Sequence, residues 1–281
     1  MRSATGASNG GIKRRGPKPV VDFMSDQAHG LKALKTRAVK REDYSVSGYI
    51  LVVSDIHFPY HDPGALELAI QHGVDAGCET LLVNGDLLDF YKLSRFIKDP
   101  TETNVCEELE MAKQFFDLVA PLFSKIVYKL GNHEDRLEHY LWSKAPELIG
   151  LPFTTLGALI DNEKVEIVGS RQLMKAGRLN IVHGHEFGTS VFNPVNPARG
   201  LFLRSKCSTM AGHHHQTSEH HENNVNGDAM ACWSTGCLCD LSPTYSPFAF
   251  TKWNHGFATV ETEPSGEFTV RNCRIIGGKV H

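Results

Sequence analysis

Long apolar runs are missing from these 281 residues. No stretch of about 18 apolar residues occurs, which excludes a membrane-spanning helix of the usual kind. Early basic residues are followed by no apolar segment, so no secretory signal is indicated and a cytoplasmic setting is expected. Cysteine occurs seven times, an odd count without framework spacing. That excludes a disulfide scaffold and leads us to expect free thiols in a reducing compartment. Cys232, Cys237 and Cys239 cluster, but not as the paired Cys-x-x-Cys of a zinc knuckle, and read as core or surface thiols. No self-similarity at solenoid periods is found.

What is present is unevenly distributed. Hydrophobic residues make up 41%, enough for a buried core. The net charge of −3 hides an asymmetry. Residues 1–41 hold ten Lys/Arg against two Asp/Glu, and the remaining 240 hold nineteen against thirty. We therefore expect a basic, partly disordered arm over 1–45 and a folded catalytic domain over 46–281. Within the arm, Lys13-Arg14-Arg15-Gly16-Pro17-Lys18-Pro19 could lie on nucleic acid phosphates, or serve as a soluble basic tail. Leu31, Leu34 and Ala38 give residues 24–42 the pattern of a short amphipathic helix.

From residue 49 short apolar runs end in polar residues. Tyr49–Val53 leads to Asp55, Thr80–Val83 to Asp86, Ile126–Leu130 to Asn132, and Leu179–Val182 to His183. Such runs read as buried strands. Helical patterns over 63–76 and 104–120 separate the first three. The alternation predicts an α/β fold, a two-sheet sandwich flanked by helices, with its site at the carboxyl ends of the strands. Short strands near 164–168, 179–183, 229–234, 256–262 and 267–276 are expected to form the second sheet.

The strand ends carry metal-binding side chains. Asp55 and His57 are two apart, as are His213 and His215 after Gly212. In an extended segment each pair faces one side. Asp86 can bridge two ions, Asn132 offers a carbonyl oxygen, and His183 offers an imidazole nitrogen. This mixed nitrogen and oxygen set suits two divalent cations, Mn²⁺ first and Fe or Zn²⁺ as alternatives. A single Asp-x-His is common in any chain. The ordered set at four strand ends is not, because unpaired carboxylates and imidazoles clustered in a core cost several kcal/mol.

Asp55-x-His57, Gly85-Asp86-x-x-Asp89, Gly131-Asn132-His133-Glu134, His183 and Gly212-His213-x-His215 together resemble the five signature blocks of calcineurin-like metallophosphoesterases. The resemblance covers about residues 50–216. It implies a dinuclear metal-dependent phosphoesterase with a metal-bridging hydroxide as nucleophile. It assigns one metal to Asp55, His57, Asp86 and His215, and the other to Asp86, Asn132, His183 and His213. It makes His133 the catalytic histidine and proton donor, oriented by Asp89. His214 is expected to be a bystander. His185 is expected to be either a supporting group or a substrate contact.

The ester is less determined. Protein-phosphatase-like members continue the second block as Asp-Arg-Gly, whereas this chain has Asp89-Phe90-Tyr91. That departure argues against a phosphoprotein substrate, unless Arg95, Arg199, Arg204 or Lys206 compensates from a loop. A phosphodiesterase, in one version a nuclease, is the leading reading. The alternative is a phosphomonoesterase or nucleotide hydrolase, with loops 90–104 and 187–207 closing over a small substrate and Tyr245, Phe248, Phe250 or Trp253 stacking on a base. A catalytically inactive scaffold is the alternative of another class, and the retained His133 speaks against it.

Overall fold

The computed structural model of the chain describes residues 42–96, 98, 104–188, 195–243 and 251–281. The basic stretch and the helix expected over 24–42 fall almost wholly outside these residues.

In chain order the strands are β1 (Tyr44–Val46), β2 (Tyr49–Val53), β3 (Thr80–Asn84), β4 (Lys125–Lys129), β5 (Val165–Val168), β6 (Met174–Ala176) and β7 (Leu179–Val182). After them come β8 (Thr209–Ala211), β9 (Ser218–Asn223), β10 (Ala229–Ser234), β11 (Gly256–Thr262), β12 (Phe268–Ile276) and β13 (Lys279–Val280). The α-helices are α1 (Pro63–Asp75), α2 (Val105–Val119), α3 (Asp135–Lys144), α4 (Leu156–Ile160) and α5 (Pro197–Ser205). One sheet has the order β13-β12-β11-β2-β3-β4-β5, the other β1-β6-β7-β8-β10-β9. This is the expected α/β sandwich.

The membership of the second sheet differs from expectation. β5, β11 and β12 belong to the first sheet: β5 pairs parallel with β4, and β11 pairs antiparallel with β2. Apolar pattern marks a strand but does not choose its partner. β1 starts at Tyr44, inside the segment assigned to the arm, and pairs with β6. Residues 197–205, read as loop, form α5, where Asn196 caps the first turn through Arg199 N–H at 2.9 Å.

Strand alternation explains the apolar runs. Ile50, Val52, Leu82 and Val127 enter the core between the sheets with Met174, Ile181 and Met210. Leu51, Val53, Leu81, Val83, Ile126 and Tyr128 point the other way, into the core shared with Ala65 and Ala69 of α1 and Ala112 and Phe116 of α2. A strand buried on both faces has no polar face to show. Its polar residues therefore appear only where it ends, and there the predicted site lies. α1 is opened by Asp62, whose carboxylate accepts Ala65 N–H at 2.8 Å, followed by Pro63. All seven cysteines are free. Among the described residues, no helix is long and apolar enough to cross a membrane.

Candidate metal centre

Eight non-glycine residues among those described have positive φ, and five of them are predicted ligands: Asp55 (56°), His57 (54°), Asp86 (52°), His213 (69°) and His215 (55°). The extended geometry expected for the Asp55/His57 and His213/His215 pairs is thus replaced by left-handed turns. Each such turn costs of order 1–2 kcal/mol for an L-residue. Turning at the strand end folds both members of a pair back over the sheet edge, where an extended pair would run off it. Close approach also needs glycine. A Cβ on Gly131 would stand 2.2 Å from Asp86 Oδ1, and one on Gly85 would stand 2.3 Å from His183 Nδ1.

Four donor groups result among the described residues, and two of them consist of predicted ligands alone. Asp55, His57 and His215 form one, and Asp86, His183 and His213 form the other, with ligand atoms within 4.8 Å of one another in each. In the first, His215 Nε2 is 3.2 Å from Asp55 Oδ1 and 3.2 Å from His57 Nε2. In the second, His183 Nε2 is 3.1 Å from Asp86 Oδ2. Asp86 Oδ2 lies between the groups, 3.9 Å from His57 Nε2. His214 belongs to neither group. His185 stands beside the second, its ring 5.4 Å from that of His183 and its Nε2 3.7 Å from Asp135.

The far sides of five of the seven candidate ligands are held. His183 Nδ1 donates to the Asn84 carbonyl at 2.8 Å, which turns Nε2 toward the pocket. His57 Nδ1 is 3.1 Å from Asp89 Oδ2. Asp55 Oδ2 accepts from Ser54 Oγ at 2.7 Å and from His213 N–H at 2.9 Å. Asp86 Oδ1 accepts His133 N–H at 2.9 Å, so Oδ2 faces the pocket. His215 Nδ1 lies 3.8 Å from Cys239 Sγ, with buried Cys237 alongside. Both thiols are buried, and with His215 they form a further group of potential donor atoms within 4.8 Å of one another.

Charge in the pocket is strongly perturbed. Burial raises the carboxyls of Asp55, Asp86 and Asp89, yet neighbouring histidines outweigh it and hold all three below the usual range. Burial alone would strip His183 of its proton, but Asp86 pushes the ring up to about 10. His215 rises to about 9 against burial, through Asp55. His213 falls to about 3 through burial and the charge of His183. The pocket therefore gathers protons onto two of its histidines. Divalent cations would meet the same negative field and displace those protons.

The fit to metal rests on the donors themselves. Asn132 Oδ1 is buried without a hydrogen-bond partner. Left unpaired, such an atom costs about 1–3 kcal/mol, which coordination would recover. His183 Nε2, also buried, meets the Asp86 carboxylate at 3.1 Å, an oxygen of the same donor group. The residues present fit two cations.

His133 and Asp89 sit on one wall. His133 Nδ1 donates to the Asp89 backbone carbonyl at 2.9 Å and lies 3.5 Å from its carboxylate. Asp89 thus contacts both His57 and His133, nearer to the former through its carboxylate. The residue that sequence reasoning missed is Arg136. Its guanidinium donates to the Asp89 carbonyl at 2.7 Å and to His133 Nε2 at 3.0 Å. It lines the cleft with Tyr91, Ser94 and Trp253. Arg136 stands in the first turn of α3, three residues past His133. Arg199 and Arg204 lie on α5, away from this cleft, and Arg95 borders the adjoining groove. Of the four aromatics proposed to stack on a base, Tyr245, Phe248 and Phe250 lie outside the described residues, while Trp253 packs on His215 at 4.3 Å.

Two carboxylates missed as braces tie the loops together. Glu134 accepts Asp86 N–H at 3.0 Å, Gly131 N–H at 2.7 Å, Leu88 N–H at 3.1 Å and Tyr128 Oη–H at 2.7 Å. It joins the loops after β3 and β4. Glu186 accepts His183 N–H at 3.0 Å and Gly184 N–H at 2.6 Å, and pairs with the buried Lys129 ammonium at 3.1 Å. The nearest signal in the sequence was a Glu two or three residues after the predicted ligand in each loop.

A family model described as calcineurin-like phosphoesterase matches residues 48–237, more than half of the chain. The chain belongs to that family. Metal-dependent hydrolysis of phosphate esters is the activity class of this calcineurin-like phosphoesterase. It is 26% identical over 238 residues to the Gene 54 protein of Mycobacterium phage L5, covering 78% of this chain and 90% of that one. Among solved structures it is similar to Vps29 of Entamoeba histolytica in complex with zinc, with TM-score 0.43, 14% identity, and 83% of this chain and 96% of that one covered. A dimetal phosphatase from Danio rerio matches with TM-score 0.40 and 11% identity, covering 80% of this chain and 95% of that one.

Proposed function

We propose that the chain is a dinuclear metal-dependent phosphodiesterase. Asp55, His57, Asp86 and His215 would hold one cation, and Asp86, Asn132, His183 and His213 the other. The single observation that carries this reading is Asn132 Oδ1, buried without a hydrogen-bond partner in the cleft lined by His57, Asp86, His213 and His215. The donors are nitrogen and oxygen, which favours manganese, with iron or zinc as alternatives. When bound, two such cations neutralise phosphate oxygens and bring the pKa of a coordinated water toward neutrality.

The chain's own residues supply the rest. Arg136 is positioned to grip a non-bridging phosphate oxygen. In doing so it releases His133 Nε2, its present partner. His133, its Nδ1 proton held by the Asp89 carbonyl, is then free at Nε2 to carry a proton for the departing alkoxide. Asp86 and Asp89 favour the charged ring, which burial alone would discharge. A diester is favoured over a monoester because the cleft shares Ser94, Phe96, Asn132 and Arg136 with a second groove, leaving room for a second ester arm.

The test is turnover by the full chain loaded with Mn²⁺. Bis-p-nitrophenyl phosphate should be hydrolysed faster than p-nitrophenyl phosphate. Preference for the monoester overturns the diesterase reading. No turnover of either, at two ions per chain, overturns the hydrolase reading.

A further inference from the structure

The groove beside the metal cleft runs between Leu93, Ser94, Arg95, Phe96 and Lys98 and one face of α3. Its helical wall consists of Arg136, His139, Tyr140, Ser143 and Lys144. The i, i+3, i+4, i+7, i+8 spacing is that of a single helix face. α3 buries none of its residues, so this face is accessible.

The charge of this groove is selected. Arg95, Lys98, Arg136 and Lys144 line it, and among its described lining residues none is Asp or Glu. Yet the chain from residue 42 onward holds thirty acidic residues against nineteen basic. α3 has acids of its own, and it sorts them. Asp135 and Glu138 line a different cavity, with Leu137, Leu141 and Trp142. One helix thus turns its carboxylates to one side and its cations toward the groove that leads to the metals.

Aromatic rings are set among those cations. Phe96 is 64% exposed and Tyr140 is 42% exposed. The Arg95 guanidinium lies 5.4 Å from the Phe96 ring centre. A carboxylate-free row of cations interleaved with exposed rings suits a ligand carrying repeated phosphates and flat faces. A mononucleotide would occupy one end of it, and an acidic peptide would leave the rings unused. A duplex has its base faces stacked away. A single strand offers phosphates to the cations and unpaired bases to the rings.

Building on the phosphodiesterase reading, we propose that this groove binds single-stranded polynucleotide and feeds its backbone to the metal cleft. Arg95, Lys98 and Lys144 hold phosphates on one side of the scissile bond, and Phe96 and Tyr140 stack on the neighbouring bases. Arg136 marks the junction between groove and cleft.

The experiment uses the full chain without metal, so that binding is read without cleavage. A fluorescein-labelled strand of about twelve nucleotides, within the span of known single-strand sites, is titrated at several salt concentrations. The basic arm is present throughout, so only differences between variants count. Replacing Arg95, Lys98 and Lys144 together by Ala should flatten the plot of log affinity against log salt by about 2, near 0.7 for each phosphate no longer neutralised. Lys98→Arg with Lys144→Arg should keep the wild-type slope. Phe96→Ala with Tyr140→Ala should weaken binding roughly tenfold or more with little change of slope. Equal slopes and affinities for wild type and the triple variant overturn the proposal. So does tighter binding of the matching duplex with the same response to the variants. Wild-type turnover of bis-p-nitrophenyl phosphate with Mn²⁺ tests the underlying activity separately. Turnover with groove-independent binding overturns only the groove, whereas groove-dependent binding without turnover overturns only the phosphodiesterase.

Discussion

From the first sheet the pocket receives Asp55, His57, Asp86, Asn132 and His133. From the second it receives His183, His213 and His215. Every carboxylate offered to metal is on the first side, whereas the second offers only imidazoles. The supports differ in the same sense. On the first side Glu134 binds the backbone of two ligand loops at once. On the second, His183 is held by the Asn84 carbonyl and by Glu186, whose charge Lys129 balances from the end of β4. The first sheet thus sets the charge of the candidate site, and the second adds imidazoles to it. The two are tied by the Lys129–Glu186 ion pair, whose lysine is fully buried.

This division breaks first at Asp86, the carboxylate between the two donor groups. Asp86→Ala is expected to lose both ions and nearly all turnover. Elemental analysis and a rate measurement check this, and full occupancy with an intact rate would sink the bridging assignment. His133→Ala is expected to keep both ions and lose roughly 10²–10⁴-fold in rate, the span of acid–base assistance. The loss should shrink with good leaving groups, and an equal loss for every leaving group would count against a proton carried at His133 Nε2.

The tie between the sheets comes next. Lys129 is fully buried, and its removal leaves Glu186 charged without its cation. Lys129→Met should lower unfolding stability by about 3–5 kcal/mol, the usual cost of breaking a buried pair from one side. Urea denaturation measures it, and a loss below about 1 kcal/mol would show that Glu186 needs no counter-charge there. The smallest effect concerns Glu108 beneath the first sheet's loop at Phe90. Burial pushes its carboxyl up to about 8, against the Phe90 N–H that it accepts. The folded chain then holds a proton that the unfolded chain releases near the ordinary value of 4.5. The resulting stability is full below that ordinary value and is lost as pH rises through about 8. Glu108→Gln should flatten this decline in the urea midpoint, and an unchanged slope would remove Glu108 as its source.

Much of the site was legible because its parts are local. A ligand after a doubly buried strand, flanked by glycine, is a pattern within a few residues, and five such patterns in order resemble one family. Arg136 was not legible, since an arginine early in a helix is ordinary until Asp89 and His133 are seen against it. Glu134 and Glu186 were equally plain as letters, and their roles depend on which N–H groups the loops turn inward. The mixed first sheet was misread because β5, β11 and β12 look like any short strand, and pairing is a long-range choice.

The alternation of the first three core strands with two helices, the nature of the candidate donors and their places at strand ends were determined by residue pattern alone. These follow from local hydrophobicity, turn chemistry and the cost of burying polar groups. Tertiary structure alone decided which histidine faces which carboxylate, that left-handed turns make the approach, that Arg136 stands against Asp89 and His133, and that α3 turns its cations to the metal side. Those outcomes depend on distances between segments far apart in the chain, which packing sets and no local pattern encodes.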